Sequence, residues 1–408
     1  MRELDPKIEL QQILGQQILN VLQGPQIESI RHQCEGNVRA MNFRGIKEGT
    51  SFKVSEKLLP QFYALCEEVK EKLDYKEPID FYITGNSEIN ACAAFSYDEN
   101  YPHMIEIYSG VYNLLSEDEL KYLVGHEIGH LIDGDAIITG IFRFLYPDEE
   151  SLENCPDYLA KRYDLYKQVA ELSADRYGYK ACMNLDTCVK AIFKMASGVN
   201  LEKMNVSIQA LMEENDRHLE CLFNDGGFTG DSHPVDPIRV RALDLFANAK
   251  TQAALTKGMN DLVHLLQTFT FGELDDALAD FVASAGILVS QVDGKSDKRE
   301  EEYIIKELAQ FTLFPYKVLK QVEKGDVVKI FEDSFSKILE IATPEDEVTP
   351  LNYILEIVVA DNNLDDREMT VVYDLGRKMG LSDYQISKEI ALKLREKFQP
   401  RATALKNL

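Results

Sequence analysis

Residues 124–135, VGHEIGHLIDGD, contain two histidines and a glutamate in a pattern that suits metal chemistry. If this stretch is helical, His126 and His130 lie one turn apart and point the same way, as two imidazole ligands of one zinc ion must. Glu127 then lies about 100° round the helix, beside the open coordination position of the metal. The pattern predicts a zinc site with Glu127 as general base. The alternative is two histidines packed in a core.

The residues around this motif have the features of a buried helix. Ser116 and Glu119 form an S-x-x-E capping box at its head, and Gly134 is placed to end it. Apolar side chains recur at helical spacing between these ends: Leu120, Leu123, Val124, Ile128, Leu131 and Ile132. We therefore expect both histidines on a helix that is buried along one face.

A catalytic zinc needs a third protein ligand. The metzincin pattern fails because residues 132–140 contain no histidine. Asp133 and Asp135 lie too close along the helix end to bind the same metal. A second helix offers Glu171 and Asp175, which share one face among apolar neighbours, where each carboxylate needs a partner. Both carboxylates would have a partner if Glu171 bound zinc and Asp175 accepted a hydrogen bond from a ligand histidine. The alternative interpretation is that the two residues belong to an exposed acidic stripe.

The combination of HEIGHLIDGD with ELSADR resembles the metallopeptidase family of HtpX and the CAAX prenyl protease, whose zinc site is HExxH plus the Glu of E-x-x-x-D. SEINACAAF resembles the Asn-Ala that precedes the substrate-binding edge strand in that family. DSHPVDPIRVRAL resembles its late His-Pro segment, in which an Arg follows six residues on. The resemblance covers residues 55–250.

This resemblance implies a role for each matching residue. The zinc ligands would be His126, His130 and Glu171, and Glu127 would be the general base. Asp175 would orient a ligand, His233 would stabilise the oxyanion, Arg239 would hold Glu171 or its neighbours, and Asn90 and Ala91 would bind substrate. Without the resemblance, the segment around His233 indicates only a turn before a helix.

The pattern of apolar residues predicts an α+β, mostly helical fold. The first 75 residues read as helical, and residues 76–86 and 103–110 read as strands that pair into a small sheet. We expect a zincin-type metallopeptidase domain with a helical N-terminal extension over residues 1–265.

An internal repeat marks a second domain, over residues 270–400. VSQVDGKSDKREEEYI aligns with IVVADNNLDDREMTVV, and each copy reads as helix, acidic turn, helix. The repeat resembles the TerB-like family of tellurite-resistance proteins, which implies an all-α domain. The acidic turns Asp293–Glu300 and Asp361–Glu368 lack the acid spacing of an EF-hand loop. Helix capping is the preferred interpretation of their acids, and metal binding is the alternative.

The composition limits the classes of partner that we expect the protein to bind and the compartment in which we expect it. A net charge of −25 argues against nucleic acid and against an anionic membrane surface. The seven cysteines include no Cys-x-x-Cys, which favours reduced thiols. We expect no membrane insertion, because no stretch approaches the ~18 apolar residues of a membrane span. The N-terminus lacks the apolar core of a secretory signal, so the expected location is the cytoplasm.

These features together predict a zinc-dependent endopeptidase that acts on a protein or peptide substrate. Zn²⁺ with three protein ligands would keep one position for water, and Glu127 would take the proton of that water. The enzyme could be latent, with the C-terminal domain contacting the active-site cleft. A catalytically silent, zinc-containing binding or chaperone-like module is the alternative from a different class.

Overall fold

The computed structural model of the protein describes residues 4–96, 101–155, 157–204, 206–225, 234–266, 273–292, 298–308, 311–312, 315–341, 349–358 and 366–398. The chain divides into two compact units, Met1–Thr268 and Phe269–Leu408. The sequence places its domain boundary between residues 265 and 270, next to this division. The mostly helical α+β prediction is confirmed.

The first unit contains four strands and thirteen helices among the described residues. They are α1 (Glu9–Val21), α2 (Gly24–Thr50), β1 (Ser51–Lys53), α3 (Pro60–Lys72), β2 (Ile79–Thr84), β3 (Ala91–Ala94), β4 (His103–Tyr108), α4 (Ser109–Leu114), α5 (Glu117–Asp133), α6 (Asp135–Leu145), α7 (Glu149–Glu153), α8 (Asp157–Cys182), α9 (Leu185–Ser197), α10 (Leu201–Met204), α11 (Ile208–Asp225), α12 (Asp236–Asn248) and α13 (Gln252–Leu266).

The four strands form one sheet in the order β1-β2-β4-β3. The two predicted strands, β2 and β4, are neighbours, and they are parallel. β1 corrects the expectation of a wholly helical start, because Ser51–Lys53 pairs antiparallel with β2. Three residues are too few for strand periodicity to be visible in the sequence.

The sheet is apolar on one face and charged on the other. Phe81, Ile105 and Ile107 contribute to a core that is shared with α3, α5 and α9. On the opposite face, Glu106 of β4 pairs with Lys47 of α2. This alternation places the sheet between α2 and α5 and fixes the orientation of the edge strand β3, which pairs antiparallel with β4.

Glycines allow α5 and α8 to approach closely. A Cβ on Gly125 would lie 2.6 Å from the Cβ of Ala181, and a Cβ on Gly178 would lie 2.6 Å from the ring of Tyr122. Neither position has room for a side chain, so the two backbones can meet only because both residues are glycine. This contact brings the acids of α8 beside the histidines of α5.

The second unit is all-helical among the described residues. Its helices are α14 (Glu273–Val292), α15 (Lys298–Leu308), α16 (Pro315–Lys324), α17 (Val327–Ile341), α18 (Thr349–Val358), α19 (Asp366–Lys378) and α20 (Asp383–Phe398). They share a core of their own that includes Phe281, Leu308, Leu351 and Ile354. The helices that follow begin at Lys298 and Asp366, inside the ranges predicted as turns, and the preceding residues 293–297 and 359–365 lie outside the described residues.

Within the described parts of both units, every helix is too short or too polar to cross a membrane.

Candidate active site

The helix that carries the histidines begins and ends as the sequence predicts. The Ser116 hydroxyl accepts the Glu119 backbone N–H at 3.4 Å, and the Glu119 carboxylate accepts the Ser116 N–H at 2.7 Å. The buried ammonium of Lys194 also donates to Glu119, at 2.8 Å. At the other end, Gly134 adopts the left-handed conformation with φ 71°, which suits glycine. The histidines therefore stand on a helix that is fixed at both ends.

His126, His130 and Glu171 bring two ring nitrogens and one carboxylate group together. The two Nε2 atoms lie 3.2 Å apart. Glu171 places one carboxylate oxygen 3.4 Å from His126 Nε2 and the other 3.6 Å from His130 Nε2. A tetrahedral zinc with bonds near 2.05 Å separates neighbouring ligand atoms by about 3.3 Å. The three side chains thus fit a zinc ion, and the structure identifies them as a group that could hold a metal.

Asp175 holds the other nitrogen of His126. Its Oδ1 lies 2.9 Å from His126 Nδ1 and accepts the Tyr122 hydroxyl at 2.6 Å. Arg239 of α12 donates to both carboxylate oxygens, at 2.7 and 2.9 Å. Burial raises the pKa of Asp175, but Arg239 and His126 outweigh it and hold that pKa well below its usual range. An ionised carboxylate can only accept, so Nδ1 carries the proton and Nε2 is left for the metal.

The sequence analysis expects Asp175 to contact a ligand histidine, and the structure places it there. It expects Arg239 to hold Glu171 or its neighbours, and the observed partner is Asp175, one turn along α8. Tyr122 was not singled out from the sequence. Its position four residues before His126 is the signal that could have found it, because both then lie on one face of α5.

Asp135 does for His130 what Asp175 does for His126. Its Oδ2 lies 3.0 Å from His130 Nδ1. Its Oδ1 accepts the Gln11 amide at 2.8 Å and the Tyr166 hydroxyl at 2.5 Å. The sequence analysis considers Asp135 only as a metal ligand, and this second role was missed. The left-handed turn at Gly134 directs Asp135 back toward the histidine, and no motif in the sequence predicts that reversal.

The carboxylates around the two imidazoles raise the pKa of each ring above its ordinary value. Burial lowers the pKa of His126, but the carboxylates of Asp175 and Glu171 outweigh it and raise that pKa to about 10. Burial likewise lowers the pKa of His130, while Glu171 and Asp135 raise it above its ordinary value. A cation at this point is therefore favoured, whether it is a proton or a metal ion.

Glu127 is buried beside the ligand cluster. Burial raises the pKa of its carboxyl, the two histidines oppose that change, and Glu171 adds to it. The backbone N–H of Ala93, on the edge strand, is within reach of the carboxylate and lowers the same pKa. A carboxyl with a raised pKa holds a proton more readily, which is the property that proton transfer near neutral pH requires.

The edge strand β3 presents backbone groups next to this carboxylate. Asn90 is exposed, and its C=O accepts the N–H of Tyr108 at 3.1 Å. In an antiparallel pair, hydrogen-bonded and non-bonded residues alternate, so the backbone groups of Ala91 and Ala93 point to the outer edge. The side chain of Asn90 accepts the Ala91 N–H at 2.9 Å. The predicted substrate residues are thus at the edge, where a peptide backbone can pair.

His233 lies outside the described residues. Helix α12 begins three residues later, at Asp236, so a helix follows as predicted, while the turn before it lies mostly outside the described residues.

Comparison with known proteins gives a family match over one part of the chain. Residues 60–146 match the model of Peptidase family M48, and they include the sheet strands β2 to β4 and the whole HEIGH helix. This match supports the M48 metallopeptidase family and indicates a protease. No curated protein and no solved structure matches the chain.

Proposed function

We propose that the protein is a zinc-dependent endopeptidase. The observation that carries the proposal is the convergence of the His126 and His130 Nε2 atoms, 3.2 Å apart, with the Glu171 carboxylate, whose two oxygens lie 3.4 Å from one nitrogen and 3.6 Å from the other. These separations suit tetrahedral zinc. Both histidines also have their second nitrogen held by a buried carboxylate, the arrangement that orients imidazole ligands in zinc sites. Two nitrogens and one oxygen are a donor set typical of catalytic zinc.

A zinc ion bound there supplies a Lewis acid that polarises a carbonyl and acidifies water. The side chains of the protein carry out the remaining steps. Glu127 accepts a proton from the attacking water and passes it to the leaving amine, and its raised pKa suits both transfers. Arg239 keeps Asp175 ionised, so His126 stays in the tautomer that ligates. His233 would stabilise the oxyanion, as the family resemblance implies.

The substrate is a protein or peptide bound as an added strand along β3. The outward backbone groups of Ala91 and Ala93 provide the pairing edge, where a substrate strand would take the place of the Asn90 side chain at the Ala91 N–H, and Asn90 lies at the start of this edge. Strand addition uses main-chain hydrogen bonds, so extended segments of many sequences can bind. The scissile bond would lie where this edge passes Glu127, next to Ala93.

The second unit is proposed to regulate the first. Its helices agree with the TerB-like interpretation of the repeat, and a latent enzyme would be controlled by contact of this unit with the cleft. The catalytically silent zinc-binding or chaperone-like module remains the second candidate. The proposed location is the cytoplasm, supported by cysteine usage in the sequence.

Zinc content and hydrolysis of an unstructured protein such as casein test the proposal in three forms of the full chain. The wild type should hold about one zinc and cleave. Glu127→Gln should keep the zinc and lose cleavage, because only the base is removed. Glu171→Gln should lose much of the zinc as well. Equal zinc in both variants would place the third ligand elsewhere, and cleavage by Glu127→Gln would refute its role.

If the full-length wild type holds zinc but does not cleave, a chain that ends before residue 269 separates latency from the silent module. Cleavage by the shortened chain indicates latency. A zinc-loaded shortened chain that is also inactive favours the silent module.

A further inference from the structure

The N-terminal helix α1 is joined to the ligand cluster through buried hydrogen bonds. Gln11 of α1 donates to Asp135 at 2.8 Å, and Asp135 in turn lies 3.0 Å from His130 Nδ1. Gln11 is 1% exposed, so its amide cannot exchange this bond for water without movement of the helix. A polar side chain buried this completely is costly unless its partner is fixed.

Further contacts hold α1 in this position. The Ile8 N–H donates to the Ser173 hydroxyl on α8 at 3.1 Å. Lys7 donates to the Asp133 carbonyl at 3.3 Å, where α5 ends. Both of these partners lie near the ligands in sequence: Ser173 two residues after Glu171, and Asp133 three residues after His130. The start of the chain is therefore attached to both helices that carry metal ligands.

We propose that Asp135 is a positioning residue for His130 and that α1, through Gln11, is a structural component of the metal site. Three groups converge on the Asp135 carboxylate: the His130 imidazole, the Gln11 amide and the Tyr166 hydroxyl. The two donors occupy Oδ1, so Oδ2 is directed at Nδ1. That contact holds the proton on Nδ1 and aims Nε2 at the point where the other two ligands meet. This inference rests on the zinc site proposed above.

The arrangement differs from that around His126. There the carboxylate is neutralised by the guanidinium of Arg239, whereas Asp135 is held by two neutral donors. The Asp135 carboxylate thus faces His130 directly, and a carboxylate behind an imidazole increases the basicity of that imidazole as a ligand. Loss of Asp135 should therefore weaken metal binding more than the loss of a merely structural contact would.

The test is the zinc dissociation constant of the full chain, measured by competition with a chelating indicator, together with the unfolding temperature of the metal-stripped protein. Asp135→Asn should raise the dissociation constant 10- to 100-fold. Gln11→Leu and Tyr166→Phe, which each remove one donor, should raise it about 3- to 10-fold. Glu106→Gln is the matched control, because it removes a buried carboxylate whose partners in the described part of the chain, Lys47, Thr84 and Cys92, include neither a ligand histidine nor a residue of α1.

An unchanged dissociation constant in Asp135→Asn, beside zinc-loaded wild type, would overturn the inference and leave the proposed function intact. Wild type without zinc would overturn both. If Asp135→Asn does not fold, the two donor variants decide: a raised dissociation constant in both supports the inference, and an unchanged one refutes it. An equal loss of zinc affinity in the Glu106→Gln control would show that the effect is not specific to Asp135, and would overturn the inference.

Discussion

Tyr122 and His126 lie one turn apart on α5 and share one acceptor. The Oδ1 of Asp175 receives the Tyr122 hydroxyl at 2.6 Å and lies 2.9 Å from His126 Nδ1. Tyr122 has no solvent exposure, so water cannot replace its hydroxyl in this contact. Tyr122 thus holds the Asp175 carboxylate in place, and that carboxylate orients His126. Each of these two contacts can be tested by mutation.

Replacing Tyr122 with Phe should destabilise the protein, because a buried charged acceptor loses a donor. We expect a loss of about 1–3 kcal/mol in the free energy of unfolding, measured by denaturant titration. Tyr179→Phe is the control: the Tyr179 ring packs against Phe246, and its hydroxyl makes no hydrogen bond within the described part of the chain. The control should change by less than about 0.5 kcal/mol. Equal losses in the two variants would contradict the assigned contact.

Gly125→Ala should separate α5 from α8. Alanine favours a helix over glycine by about 0.5–1 kcal/mol, but its methyl group would lie 2.6 Å from the Cβ of Ala181. Overpacking of this kind costs about 1–3 kcal/mol, so a net loss of stability is expected. Thermal unfolding measures it. Gly45→Ala, in α2 with open space around the added Cβ, should instead be neutral or stabilising. A stable Gly125→Ala would mean that the helices have room to move apart.

Zinc binding should release protons. Asp175 and Glu171 raise the pKa of His126 to about 10 and so keep its imidazole protonated at neutral pH, although burial opposes this. A ligand histidine must be neutral, so at least one proton leaves when zinc binds. Raising the pH removes the competing proton, and the apparent affinity should rise about tenfold per pH unit for each proton released. Calorimetry at pH 7 in buffers of different ionisation enthalpy would measure the number, and identical heats would refute it.

Asp133 should make stability fall as pH rises from about 4 to about 6. Burial raises its pKa from 3.8 to about 6; Asp135 adds to this, and Lys7 opposes it. The folded state therefore keeps a proton that the unfolded chain loses in this window, and ionisation above it costs up to about 3 kcal/mol. Asp133→Asn should match the wild type at pH 4 and be the more stable protein at pH 7.5. Denaturant unfolding of the metal-stripped proteins at both pH values measures the difference, and a constant difference would contradict it.

Much of the candidate site follows from local sequence. The HEIGH helix, its cap at Ser116 and its stop at Gly134 depend on residues within one segment, so spacing alone predicts them. Glu171 and Asp175 were placed on one face by the same periodicity, and the structure directs that face at the histidines. Asn90 and Ala91 also lie at the edge strand, as the resemblance implies.

What the sequence analysis missed depends on contacts across the fold. Asp135 and Tyr166 are 31 residues apart, and Gln11 is 124 residues from Asp135. No spacing rule joins such positions, because their meeting depends on how α1, α6 and α8 pack. The three-residue strand β1 was missed for a related reason: its identity comes from pairing with β2 and not from its own pattern.

The attachment of α1 also bears on how the chain folds as it is made. Ile8 bonds to a partner 165 residues later, and Arg176 donates to the Pro6 carbonyl across 170 residues. Helix α1 is made before α8 and must therefore wait for α8 before it can dock, and contacts of such long range slow folding. Until then its apolar residues Leu14 and Ile18, which are fully buried in the finished protein, are exposed to solvent and to other chains. Arg239 of α12 is made 63 residues after Arg176 of α8, so the centre is complete only when α12 has also been made.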